Sequence, residues 1–229
     1  MKVRIKFSKH GAMKFIGHLD IMRYFQKAIR RTDIDITYTT GFSPHQVMSF
    51  AMPLGVGLES DGEYFDIEIN AFTSCEDIQQ KLEKEMATGI HILNVKVLPE
   101  TVGNAMASVA AAKYQVTFRE GHAPVFDWKS QLPLFYQKDS IVIMKQSKKS
   151  VKELDLKPGI YELKIVGDVI QMLVDASSAG NIKPSLVLEA FYKENDQKLL
   201  EFDLEVLRME TYRNAGTEKE PDFVPLDEI

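Results

Sequence analysis

The sequence predicts an α+β protein of two tandem ferredoxin-like (βαββαβ) domains. Three observations carry that expectation. Short segments with apolar residues at every second position alternate with segments whose apolar residues recur at helical spacing. The resulting order, β-α-β-β-α-β, fills residues 1–98 and returns more loosely over 113–212. With 229 residues, 45% hydrophobic and 27% charged, the chain has apolar material for two cores.

Residues 3–7 open the first domain as a strand, with Val3, Ile5 and Phe7 on one face and Arg4 and Lys6 on the other. Residues 18–31 follow as an amphipathic helix whose apolar face centres on Met22, Phe25 and Ile29, flanked by Ile21 and Ala28. Asp33-Ile34-Asp35 ends that helix, and residues 36–39 are β-branched and aromatic in character. Residues 41–45 read as a loop, because Pro44 keeps Ser43 out of the helical region. Strands are expected at 47–52 and 63–69. Ser74, with Asp77 three residues on, marks a second helix start, a close variant of the capping box. Ile78, Leu82 and Met86 supply its stripe and Gly89 its stop, and a strand at 91–98 closes the domain.

Residues 99–112, with Pro99, Gly103 and a run of alanines, read as a connection. In the second domain strands are expected at 114–118, 141–145, 160–166, 169–174 and 204–212. Its helices fall near 125–135, interrupted by Pro133, and from Pro184 to Tyr192. Residues 145–159 are long for a simple connection. Residues 213–229, with two prolines and five acids between Glu218 and Glu228, are expected as an acidic flexible tail.

Charge is distributed unevenly. The first 31 residues carry nine Lys or Arg and one acid, Asp20, in a chain whose net charge is −5. Attraction to polyanions depends on such local fields more than on net charge. On the helix at 18–31, Arg23, Lys27, Arg30 and Arg31 fall within an arc of about 100°, a row suited to successive phosphates. A second basic segment, Lys145, Lys148, Lys149, Lys152 and Lys157, adds charge without helical order.

Other chemistry is sparse. One cysteine, Cys75, excludes an internal disulfide and a cysteine-only metal or iron–sulfur site. No phosphate-loop, dinucleotide, nucleophile-elbow or zinc-protease motif is present. No apolar run approaches the ~20 residues that span a bilayer, and the charged, alternating N-terminus is unlike a signal peptide. A cytoplasmic protein without membrane contact, metal or cofactor is expected. His10, His18 and His45 cluster in the first 45 residues at a spacing that fits no zinc pattern. His18 and His45, beside a basic helix, are candidates for proton transfer. In the loop, Phe42 and Ser43 are candidates for stacking on a base or bonding a phosphate.

Four stretches carry a resemblance to a known family. They are Lys14-Phe15-Ile16-Gly17-His18-Leu19-Asp20-Ile21-Met22-Arg23, Ala28-Ile29-Arg30-Arg31, Gly41-Phe42-Ser43-Pro44-His45 and Ser49-Phe50-Ala51-Met52-Pro53-Leu54-Gly55. Together they resemble the bacterial radical SAM-linked (radical SAM-associated) protein family, a domain of unknown function. The resemblance implies association with a radical S-adenosylmethionine protein and gene neighbourhoods rich in RNA processing and ribosomal proteins. The chain lacks the cysteine cluster of a radical enzyme, so radical chemistry would belong to the partner.

These readings converge on an RNA-binding accessory module, with transfer or ribosomal RNA as its ligand. Lys14, Arg23, Lys27, Arg30 and Arg31 would contact phosphates, and Phe42, Ser43 and His45 would position the bound segment. A metal-independent ribonuclease or RNA-modifying enzyme using His18 and His45 is the alternative. A scaffold that docks an acidic protein through the basic helix is the third.

Overall fold

The strand and helix patterns of residues 1–98 fold as β1 (Lys2–Lys9), α1 (His18–Arg31), β2 (Met48–Phe50), β3 (Glu59–Glu68), α2 (Cys75–Glu83) and β4 (Ile90–Val97) in a computed structural model that describes residues 1–146 and 151–229. The protein is α+β, and its chain divides into two units, Met1–Ala110 with Arg208–Ile229, and Ala111–Leu207. In the first unit β1 lies between β4 and β3 and is antiparallel to both, while β2 pairs antiparallel with β3. Strands β1 and β2 therefore run the same way, and α1 returns the chain between them.

Period-two alternation decides which side of this sheet is dry. Val3, Ile5 and Phe7 of β1 join Phe65 and Ile67 of β3 under Ile21, Phe25 and Ile29 of α1 and Ile78 and Leu82 of α2. Phe7, Phe25, Phe50 and Phe65 form a ring cluster, with Phe7 and Phe25 edge-to-face at 4.8 Å. Ser74 caps α2, its Oγ accepting the Asp77 N–H at 3.0 Å, as the sequence predicts. Helix α2 ends at Glu83, six residues before Gly89. Expected strand 47–52 shrinks to three residues, and residues 36–39 contribute only isolated bridges, Ile36 to Ile69 and Tyr38 to Gln46.

The other side of the sheet is polar. Arg4 is buried there and makes a two-pronged pair with Asp66, Nε to Oδ1 at 2.8 Å and Nη2 to Oδ2 at 3.0 Å.

The C-terminal residues covering that side correct the expectation of a flexible tail over 213–229. Strand β10 (Leu204–Asn214) carries the chain back, and β11 (Phe223–Pro225) pairs with it antiparallel. Leu226 is fully buried, and its carbonyl accepts from Arg4 Nη1 at 2.8 Å. Asp227 accepts from Asn94 Nδ2 at 2.7 Å, and the Tyr64 hydroxyl lies 2.9 Å from its Oδ1. Acidity suggested a solvated tail, but Asp227 is half-buried against donors from β3 and β4, while Glu218, Glu220, Asp222 and Glu228 are exposed. Next to β3, β10 runs in the same direction, since Ser60 bonds to Arg208 and Thr211 to Gly62. A Cβ on Gly62 would lie 2.5 Å from the Glu210 Cα, so this close approach requires glycine.

A short helix, α3 (Ala105–Ser108), capped by Asn104, occupies the stretch read as a connection. The second unit then contains β5 (Ala111–Phe118), α4 (Trp128–Tyr136), β6 (Val142–Gln146), β7 (Val151–Asp155), β8 (Ile160–Val166), β9 (Val169–Asp175) and α5 (Pro184–Glu194). Strand β9 pairs antiparallel with β5 and β8, and β10 opens beside β5. The β8–β9 turn uses Gly167 at φ +65°, a conformation that glycine adopts without strain. Pro133 sits inside α4 without ending it. Part of the expected connection 145–159 is strand: β7 pairs with β6 in a two-stranded sheet of its own. Lys148 and Lys149 of the second basic segment lie outside the described residues.

Candidate nucleic-acid interface

Helix α1 forms where the sequence predicts it. Gly17 is its N-cap, Asp20 lies in the first turn, and Arg30 and Arg31 lie in the last, each charge complementing the helix dipole. With Ile21, Phe25, Ala28 and Ile29 buried, the 3.6-residue period turns Arg23, Lys27 and Arg30 outward, and all three are exposed. Arg23 makes one long contact, Nη1 to Asp20 Oδ1 at 3.4 Å, with its side chain 70% exposed. The fourth cation is tied down: Arg31 Nε donates to Glu85 Oε2 at 2.5 Å and its Nη2 to the Glu85 carbonyl. Lys14 lies off the helix, on the 3-10 turn Gly11–Phe15, with Nζ 3.5 Å from Glu59 Oε1 and 5.7 Å from the Phe15 ring centre.

The loop at 41–45 is held from its base. Thr39 N–H donates to the His45 carbonyl at 2.9 Å, and His45 N–H donates to Thr39 Oγ1 at 3.1 Å. Gly41 at φ +113° turns the chain. Phe42 is fully exposed rather than pinned to the core, and Ser43 and His45 are exposed beside it. Since β2 runs parallel to β1, the loop that precedes β2 and the C-terminal turn of α1 belong to the same end of the sheet.

His18 and His45 fare differently. His18 is the first residue of α1, half-buried, its ring edge-on to Phe50 at 5.5 Å. Burial pushes its pKa down, opposed by Glu63 and assisted by Lys9. His45 Nδ1 lies 3.1 Å from Thr39 Oγ1 on the exposed loop. Among the described residues the two rings share no hydrogen bond or ring contact, so the structure does not join them as an acid–base pair.

Sequence reasoning missed a buried charged group beneath the two best-marked segments. Lys9 is 2% exposed and its Nζ donates to the Ile16 carbonyl at 2.9 Å. Arg208 Nη1 donates to Glu63 Oε1 at 2.8 Å and to the Met52 carbonyl at 3.2 Å, and Nη2 reaches the Pro53 carbonyl at 3.4 Å. Burial lowers the Lys9 pKa, with Glu63 opposing and Arg208 assisting. These cations fix the chain entering α1 and the chain leaving β2. No spacing in the sequence links residues 9, 63 and 208.

Nearby, His10 Nε2 lies 2.7 Å from Asp61 Oδ1 and its Nδ1 3.3 Å from Glu59 Oε2. Among the described residues no three His, Cys, Asp or Glu side chains are grouped to hold a metal, and no helix is long and apolar enough to cross a membrane.

Fold and surface define an α+β protein with a cationic helix face and an exposed aromatic loop. Residues 2–184 match the family described as "Uncharacterized protein conserved in bacteria (DUF2344)", and the chain belongs to that family. No curated protein matches. Among solved structures, a chain of "Crystal Structure of a Cbf5-Nop10-Gar1 Complex" aligns with 10% identity and a TM-score of 0.47. The alignment covers 91% of this protein and 48% of that chain, so this protein spans about half its length.

Proposed function

We propose that the protein is a cytoplasmic RNA-binding accessory module that presents transfer or ribosomal RNA to a radical SAM enzyme or to RNA-processing machinery. The observation that carries this reading is the row Arg23, Lys27 and Arg30, exposed on a helix whose opposite face is fully buried. From Arg23 to Arg30 the row runs about 10 Å along the axis at 1.5 Å per residue. The exposed Phe42 offers a ring on which a base can stack. As to fold, we read both units as ferredoxin-like, supported by the strand orders β4-β1-β3-β2 and β10-β5-β9-β8.

The test is fluorescence anisotropy with labelled transfer RNA and ribosomal RNA fragments over a series of salt concentrations. Arg23→Ala with Arg30→Ala is expected to weaken binding to every RNA and to reduce the log–log salt slope by about two, one for each phosphate that is no longer neutralised. Phe42→Ala is expected to change the ranking of RNAs and leave the slope alone. A double arginine variant with the parent's affinity and slope would reject the reading and leave α1 as a protein-docking face.

A further inference from the structure

The outer stripe of α1 does not end at its cations. Leu19, Arg23, Lys27 and Arg30 stand at i, i+4, i+8 and i+11, within an arc of about 80° at 100° per residue. Leu19 is 66% exposed at the head of that stripe. Four residues before it, Phe15 is 63% exposed at the end of the 3-10 turn Gly11–Phe15. Val56 is exposed as well, and the Gly57 N–H donates to the Lys14 carbonyl at 2.8 Å, tying the chain after Val56 to the residue before Phe15. The C-terminal end of α1 shares its end of the sheet with the loop that carries the fully exposed Phe42. Single exposed apolar side chains are ordinary. Here an exposed phenylalanine stands at each end of a cationic helix about 20 Å long at 1.5 Å per residue.

A row of cations suits any nucleic acid, so the rings and the bordering charges decide which form it takes. In a duplex each base face is covered by its neighbours, whereas an unpaired base offers its face to an aromatic ring. The row is also narrow. On the flank toward α2, Asp20 lies 3.4 Å from Arg23 and Glu85 holds Arg31 at 2.5 Å, so a second line of phosphates would meet carboxylates. At the Phe15 end, Glu59 lies 3.5 Å from Lys14 Nζ and offsets its charge, which leaves apolar contact to hold the ligand there. The geometry points to α1 as a site for single-stranded RNA, with one unpaired base against Phe15, another against Phe42, and the phosphates between them along Arg23, Lys27 and Arg30. This inference rests on the RNA reading of α1 given above and adds the form of RNA that the site takes.

The experiment is fluorescence anisotropy of the full chain with three labelled twelve-nucleotide RNAs. They are a single strand without self-complementarity, the same strand paired with its complement, and an abasic ribose–phosphate strand. The single strand is expected to bind at least tenfold more tightly than the duplex. Phe15→Ala and Phe42→Ala are each expected to weaken the single strand at least fivefold, leaving its salt slope and the duplex affinity unchanged. Both positions are exposed, and a thermal melt confirms that each variant folds. Phe15→Tyr, which keeps the ring, is expected to retain affinity, and Phe15→Leu, which keeps apolar area without a flat face, to lose it. The abasic strand, which needs no variant, is expected to bind the parent about as weakly as the doubly substituted chain binds the normal strand. A duplex that binds as tightly as the single strand overturns the inference, as does affinity indifferent to either phenylalanine. So does Phe15→Leu with the parent's affinity, the mark of an apolar surface for a protein. If Arg23→Ala with Arg30→Ala still weakens RNA binding in those cases, the RNA reading of α1 stands without this one. Absence of binding to all three RNAs rejects both.

Discussion

His10 and His18 stand eight positions apart, and their surroundings shift their pKa values in opposite directions. Burial works against a charged His10 ring, but the hydrogen bonds to Asp61 and Glu59 and their charges outweigh it, and its pKa is raised. Burial also works against a charged His18 ring; here Glu63 opposes only in part, and the pKa is lowered. Imidazole resonances followed by NMR are therefore expected to show His10 protonating before His18 as pH falls. Stability follows from linkage. A raised folded pKa means that His10 stabilises the fold below the ordinary value of 6.5 and loses that contribution as pH rises through the folded value. His10→Gln is expected to lower the urea midpoint clearly at about pH 5.5 and hardly at about pH 8.5. His18 has the opposite sign, its neutral form being favoured, so it destabilises the fold as pH falls below 6.5. Equal losses for His10→Gln at both pH values would show that its carboxylate contacts do not bind a proton in the folded state.

At the scale of elements, α1 separates stability from binding by face. Phe25 is fully buried and touches Phe7 at 4.8 Å and Phe65 at 4.6 Å between ring centres, so Phe25→Ala is expected to cost about 3–5 kcal/mol. Arg23→Ala and Arg30→Ala, on the exposed face, are each expected to stay within about 0.5 kcal/mol. Denaturant unfolding of the three variants checks both figures; a large loss from either arginine would mean that the face packs against something. This division was legible in the sequence, because one helix with a buried stripe needs only a 3.6-residue count. The Ser74 cap and the β8–β9 turn were legible for the same local reason. What was not legible was either hidden by local composition or set by partners distant in sequence. Strand β7 finds its partner in β6 across a lysine-rich stretch whose composition reads as loop. Pro133 is tolerated in α4 although proline removes a helical N–H. Lys9 and Arg208 look like surface cations until the fold places a carbonyl or a carboxylate against each.

For the whole molecule the consequence is that the first unit is discontinuous in sequence. Its core and polar face need residues from both ends: Arg208 holds Glu63 and the Met52 carbonyl, Leu226 is fully buried, and Asp227 accepts from Asn94. The sequence offers a cut near residue 98 that looks clean, since β4 ends there and an alanine-rich stretch follows. Residues 1–110 alone would nevertheless expose the polar side of the sheet and leave Glu63 buried without Arg208. Removing one partner of a buried pair typically costs about 3–5 kcal/mol, a large fraction of the roughly 5–15 kcal/mol that stabilises a domain. Within this unit the break is short. Ala110 N–H bonds to the Tyr212 carbonyl at 2.8 Å, and Tyr212 is four strand residues from Arg208, about 13 Å at 3.3 Å per residue. A flexible linker of about eight Gly and Ser residues reaches that far. Residues 1–110 joined through it to 208–229 are therefore expected to unfold cooperatively with dispersed NMR resonances, whereas 1–110 alone is expected to be largely unfolded or to aggregate. In the linked chain, exchanging Arg208 for alanine should return the behaviour of 1–110, because it removes the Glu63 partner while leaving Leu226 in place. If 1–110 alone unfolds at the same urea concentration as the linked chain, the C-terminal residues are a covering that the core does not need.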